Sequence, residues 1–204
     1  SASSPAVTKG ETGLDAFYNL TPSLKLTTTL NTDFAETEVD NRQINLTRFP
    51  ILFPEKRSFF LENAGVFSFA GAGNGGTGGP GPQNGADVIP FFSRRLGLVS
   101  GREIPILGGL KLTGKAGPYN VGLLDVRTRE SGGLAAKNFL TARIKRNIWE
   151  QSYIGAIFTD GDPSSATSSQ TYGADVRLGT SGFRGGRRNF NVSAYYLDTR
   201  KPGV

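Results

Sequence analysis

Along much of this chain apolar and polar residues alternate with a period of two. In 14–20 the even positions Leu14, Ala16, Tyr18 and Leu20 are apolar, while Asp15 and Asn19 face the other way. Thr21-Pro22-Ser23 supplies a turn, after which Leu24, Leu26, Leu30 and Phe34 oppose Lys25, Thr27, Thr29, Asn31 and Asp33. Successive side chains on a strand point to opposite faces, so this spacing predicts two half-apolar strands, the second about ten residues long. The pattern returns downstream. Ile104, Ile106, Leu110 and Leu112 oppose Lys111, Thr113 and Lys115; Leu140, Ala142 and Ile144 oppose Thr141, Arg143 and Lys145. Tyr172, Ala174, Val176 and Leu178 oppose Thr171, Asp175 and Arg177, and Phe190, Val192, Ala194 and Tyr196 oppose Asn189, Asn191 and Ser193. Weaker versions near 41–49, 121–130 and 152–160 bring the expected strands to nine.

No stretch reaches the roughly 20 apolar residues of a membrane-spanning helix, so any passage through a bilayer must be made by strands. Lys, Arg and Asp stand at strand centres on the polar face, as a wet lumen allows. The expected class is therefore all-β, an antiparallel up-and-down β-barrel of transmembrane, outer-membrane type. A soluble sandwich shows the same alternation and stays open on pattern alone. Tyr18, Phe34, Trp149, Tyr153 and Tyr196 lie near strand ends, where they could form interfacial girdles or simply pack.

Residues 1–12 are small and polar and read as a linker from an upstream domain, with the strands following over 13–204. Residues 50–103 break the rhythm and are too long for a hairpin turn, which predicts a long loop or plug-like insertion. Nine glycines between Gly65 and Gly85 make 65–85 a Gly-rich tract, expected to be flexible. Its flanks carry Phe53, Phe59, Phe60, Phe67, Phe69, Phe91 and Phe92, too apolar to hang in water, and are expected to fold back into the mouth or lumen.

Composition narrows the chemistry. The 204 residues include no Cys, Met or His, which excludes disulfide scaffolds, thiolate or imidazole metal sites and His relays within this chain. The absence of cysteine is compatible with an oxidising envelope. The chain opens on Ser1 with no charged-then-apolar leader and reads as mature or cut from something longer. The net charge of +6 is scattered over strands and turns, so no nucleic-acid partner is expected.

Most local motifs have bland readings. Gly71-Ala-Gly73-Asn-Gly75-Gly76 matches a dinucleotide fingerprint in letters but lacks the flanking strand and helix. Asp160 and Asp162 resemble the opening of a calcium loop, a weak candidate without a carboxylate at the twelfth position, and otherwise no metal or cofactor is expected. Asp33, Glu36, Glu38 and Asp40 could pair as glycosidase carboxylates but read more simply as turn residues. The Asn-x-Ser/Thr triplets at Asn19, Asn45 and Asn191 lie on expected strands, where a glycan would clash. The strongest signal is Arg48-Phe-Pro-Ile-Leu-Phe-Pro-Glu-Lys-Arg-Ser-Phe-Phe-Leu-Glu62, with Ser93-Arg94-Arg95 returning two more cations. Confined charges must pair. Arg48, Glu55, Lys56, Arg57, Glu62, Arg94 and Arg95 are therefore expected to pin the loop as an internal plug or to form a ligand or gating site; no catalytic residue is assigned.

That segment also carries a family likeness. Gly13-Leu-Asp-Ala-Phe-Tyr-Asn-Leu-Thr-Pro-Ser-Leu, Asn31-Thr-Asp-Phe-Ala, Glu38-Val-Asp, Asn45-Leu-Thr-Arg-Phe-Pro, Phe53-Pro-Glu-Lys-Arg-Ser-Phe-Phe-Leu-Glu, Phe92-Ser-Arg-Arg-Leu-Gly and Ile104-Pro-Ile-Leu-Gly-Gly-Leu-Lys-Leu-Thr-Gly-Lys carry it. Over roughly 11–160 the chain resembles uncharacterised bacterial proteins in which a family 9 carbohydrate-binding domain precedes a large outer-membrane barrel domain of unknown function. The resemblance implies that 13–204 is the N-terminal part of the barrel domain, an incomplete and open portion of the barrel, with a bacterial outer-membrane location, lipid and an oligosaccharide as partners, a sugar-binding domain upstream in the same polypeptide, and binding or uptake of carbohydrate-derived ligands. A cell-envelope hydrolase using Glu55 and Glu62 or the 33–40 carboxylates, and a structural surface or assembly component pairing at 14–20 or 189–197, are the other two readings.

Overall fold

A computed structural model describes residues 13–31, 55–70, 89–99, 102–131, 133–162, 169–182 and 188–201. Its strands are β1 (Leu14–Thr21), β2 (Leu24–Leu30), β3 (Leu98–Val99), β4 (Arg102–Glu103), β5 (Ile106–Ala116), β6 (Tyr119–Thr128), β7 (Asn138–Trp149), β8 (Ser152–Asp160), β9 (Gln170–Gly182) and β10 (Arg188–Arg200). Eight form one sheet in the order β1-β2-β5-β6-β7-β8-β9-β10, every neighbouring pair antiparallel; β3 and β4 make a separate two-stranded hairpin. The class is all-β and up-and-down, and the sheet is open, with β1 and β10 at its edges.

Of the nine expected strands, eight coincide with those of the large sheet; 41–49 lies outside the described residues, as do the 1–12 linker, the 33–40 carboxylates and Phe53. β2 ends four residues earlier than the pattern predicts. Asn31 takes a left-handed conformation (φ 50°) and its N–H donates to the Leu107 carbonyl at 3.1 Å, which turns the chain out of the ladder. Ile104 and Ile106 were expected on the same face as Leu110. A register shift between Ile106 and Gly108 reverses the alternation there, so Ile106 is buried with the phenylalanines on the opposite side, and Ile104, which precedes the strand, is buried as well.

The connections differ by end of the sheet. At one end β1–β2, β5–β6 and β7–β8 turn through only two residues each, 22–23, 117–118 and 150–151. At the other end lie the long connections 31–105, 129–137 and 161–169. In the longest, residues 55–70 and 89–99 return to cover one face of the sheet. They contain the single-turn helix α1 (Ser58–Leu61) and 3₁₀ turns at Ala64–Phe67 and Ser93–Arg95. A helix this short gains nothing from propensity. It is held by Phe59 and Phe60, whose rings meet edge to face at 5.0 Å and pack with Phe67, Leu96, Ile106, Leu124, Val126 and Phe139. Residues 65–70 of the Gly-rich tract are thus anchored: Phe67 and Phe69 are both buried. The rest of that tract lies outside the described residues.

Candidate functional site

Register assigns each strand residue to one of two faces. The face under the 55–70 and 89–99 segments receives Lys25, Thr27 and Thr29 of β2, Lys111 and Thr113 of β5, Thr141, Arg143 and Lys145 of β7, Thr159 of β8, and Thr171 and Asp175 of β9. Most of these polar groups are buried; Lys111 is only 1% exposed. The other face presents Leu110 and Leu112, Leu140 and Ile144, Ile154, Val176 and Leu178, and Val192 and Tyr196, with Ile144 44% and Tyr196 68% exposed. The polarity is inverted relative to a water-soluble sheet, in which the apolar face would be the covered one.

The covered face grips the overlying segment largely by its backbone. Lys111 Nζ donates to the carbonyl oxygens of Phe59 and, at 2.8 Å, Glu62, and lies 5.1 Å from the centre of the Phe59 ring. Asn63 Nδ2 donates to Thr113 Oγ1 at 3.2 Å. Further along, Arg143 Nε donates to Ser68 O (3.0 Å), Lys145 Nζ to Gly65 O (3.3 Å) and Ser68 Oγ (3.2 Å), and the Ala70 N–H to Asp175 Oδ2 (2.9 Å). Arg143 and Asp175 also form a two-point ion pair. Cations at strand centres thus satisfy the Phe59, Glu62 and Ser68 carbonyls at the ends of the short helix and the 3₁₀ turn, and add to the bonds that Gly65 O already accepts from Ser68.

A second cluster holds the segment's own two halves together. Arg57 pairs with Glu55 through Nε and Nη2, both at 2.8 Å, and donates to the carbonyls of Leu96 (2.7 Å) and Ser93 (2.8 Å). Ser93 Oγ donates to Glu55 Oε2 at 2.8 Å, and the Arg57 guanidinium lies 4.1 Å from the Phe60 ring centre. Burial alone would raise the Glu55 carboxyl, but the hydrogen bonds and charge of Arg57, with Ser93, outweigh it and hold the group below its ordinary value of 4.5. Glu62 is also held low, first by the hydrogen bond from Lys25 and against a smaller burial effect, with Lys111 adding charge.

The seven residues picked out by sequence therefore divide. Glu55 and Arg57 come together, and Glu62 reaches the sheet's cations Lys25 and Lys111. Arg94 is buried in its 3₁₀ turn, whereas Lys56 and Arg95 face outward. Arg48 lies outside the described residues. Lys25, Lys111, Arg143, Lys145 and Asp175 were recognised as polar-face residues but not as partners of the insertion. Neither glutamate suits general acid catalysis, which needs a raised carboxyl pKa. Among the described residues no cluster of acidic side chains could hold a metal ion. Beside the weak calcium candidate, Asp160 pairs in β8, and the Asp162 carbonyl accepts from Lys137 Nζ at 3.2 Å.

In comparison with known proteins, a family described as Domain of unknown function (DUF5916) matches residues 2–72, a span that includes β1, β2, α1 and the Glu55–Glu62 run. No curated protein and no solved structure matches.

Proposed function

We propose that this chain is part of the wall of a bacterial outer-membrane β-barrel, that residues 55–70 and 89–99 form a plug inside it, and that the barrel binds or takes up carbohydrate-derived ligands. The observation that carries the reading is the inverted polarity of the sheet. An apolar surface spread over eight strands is a liability in water but is the lipid-facing half of a barrel wall, and buried threonines and paired cations are what a plugged lumen requires. Short turns at one end and long connections at the other match the periplasmic and outer ends of such barrels. A soluble sandwich would cover the apolar face instead.

The ligand class rests on the likeness to proteins with an upstream family 9 carbohydrate-binding domain. Reconstitution of the full-length protein into vesicles tests both parts. The expected result is a heat-modifiable inserted barrel whose vesicles swell in neutral oligosaccharide. Insertion without swelling would remove uptake, and failure to insert would remove the membrane reading.

A further inference from the structure

On the bare face, the small side chains of Ala156, Ala174 and Ala194 leave a trough between Ile144 on one side and Tyr196 on the other. Register places them together: Ala156 pairs with both Ile144 and Ala174, Ala174 with Tyr196, and Ala194 with Val176. The trough amounts to an open groove of about 690 Å³ with an almost wholly apolar lining. Charged residues reach the lining at two places: Arg146, at the end of the sheet where the turns are short, and Asp175, whose side chain is turned to the covered face and buried there. Arg146 is exposed, its guanidinium 5.7 Å from the centre of the Tyr119 ring.

The surroundings of Arg146 are unusual for a cation. Ile144 and Ile148 flank it on the same face of β7, and its cross-strand neighbour on β8 is Ile154. Trp149, 68% exposed, and Tyr119 stand at the same level, as amphipathic rings do where hydrocarbon gives way to headgroups. The other bare-face charge at this end of the described strands is also positive, Arg188 of β10. At the long-loop end the face carries both signs, Asp125, Asp160 and Asp198 with Arg127 and Arg200, and Arg200 is paired with Asp198. The short-turn end is therefore complementary to anions, and an arginine stem can lie along apolar surface while its head reaches that level.

We propose that this groove holds one acyl chain of an anionic membrane phospholipid, whose headgroup phosphate pairs with Arg146. This inference rests on the membrane reading above. Trp149, the single tryptophan of this chain, reports on it, read as the difference in quenching between the full-length protein and its Trp149→Phe variant. The protein is reconstituted into vesicles of phosphatidylcholine containing a fixed small fraction of brominated phosphatidylglycerol or, in parallel, of brominated phosphatidylcholine, and the quenching of Trp149 is compared. The expected result is a preference for the glycerol lipid of about fivefold, the enrichment that one interfacial cation supplies. Arg146→Gln abolishes the preference while quenching by brominated phosphatidylcholine persists, which also shows that the variant is inserted. Ala156→Leu, which fills the groove, reduces the preference with Arg146 intact. Equal quenching by the two lipids in the wild type, or a preference that survives Arg146→Gln, overturns the lipid site and leaves the membrane reading standing. Absence of quenching by either lipid removes both.

Discussion

Arg143 on β7 and Asp175 on β9 reach each other across the intervening strand, joined by parallel hydrogen bonds of 2.7 and 2.8 Å with both side chains fully buried. They can do so because β8 presents Gly155 between them. A Cβ there would stand 2.7 Å from Arg143 Nη1 and 2.9 Å from Asp175 Oδ1. The pair then serves as an anchor, since Ser68 and Ala70 of the covering segment bond to the same two side chains.

Breaking that anchor on one side leaves a buried uncompensated charge. Asp175→Asn is expected to destabilise the protein by about 3–5 kcal/mol, and the double change Arg143→Met with Asp175→Leu by clearly less, because it removes both charges. Equilibrium urea titration of the reconstituted protein measures the difference. Equal losses in the single and double variants would contradict the anchor.

Gly155→Ala tests the same contact from the backbone side. The added methyl meets the pinned ends of two side chains, so a cost of about 1–3 kcal/mol is expected. In an Asp175→Asn background the cost shrinks, since the guanidinium is then free to move. A cost unchanged in that background would place the clash elsewhere.

Lys111 grips the covering segment through main-chain carbonyls. Lys111→Met leaves the Phe59 and Glu62 oxygens buried without that donor, a loss of about 1–3 kcal/mol. Planar-bilayer recordings of the full-length protein are expected to show more frequent openings in Lys111→Met and none beyond wild type in Arg95→Gln, whose side chain is exposed. Identical records for all three would contradict the reading of residues 55–70 as a plug held by this lysine.

Acidification acts on the second cluster. The folded Glu55 carboxyl lies below its ordinary value of 4.5, so its stabilising contribution is complete above that value and is lost as pH falls through the lower folded value. Proteolytic sensitivity of the 55–70 segment is therefore expected to stay flat through neutral pH and rise only below about pH 4.5. Glu55→Gln removes the acid-dependent rise by making the segment sensitive at every pH. A transition near neutrality would point to a different group.

The sheet was legible in the chain because a strand with one polar and one apolar face writes its period into the sequence. Where both faces are apolar the signal fades. β6 carries Val121 and Leu123 on the bare face but Leu124 and Val126 under the phenylalanines, and β8 adds Ile157 to the covered side; these were the weakly patterned strands. Tyr153, grouped with the girdle aromatics, points instead to the covered face, 5.8 Å from Lys145. The site was half legible. Glu55 and Arg57 are two residues apart and announce their pairing, whereas Arg143 and Asp175 are separated by 32 residues and meet only through the register of three strands. The acceptors of Lys111 are backbone carbonyls, which no side-chain pattern records.

The orientation of the two faces is open to direct measurement, because this chain has no cysteine of its own and any elsewhere in the full-length protein can be replaced by serine. Single cysteines at Ile154, Ala156 and Phe158 of the bare face, and at Tyr153, Ile157 and Thr159 of the covered face, are labelled with a nitroxide in the full-length protein in lipid vesicles. Collision with oxygen, which dissolves in hydrocarbon, is then compared with collision with a water-soluble nickel chelate. The account predicts high oxygen and low chelate access at the three bare-face positions, alternating with low access to both at the covered ones. Chelate access at Ile154, Ala156 and Phe158 equal to that of an exposed aqueous site would contradict it.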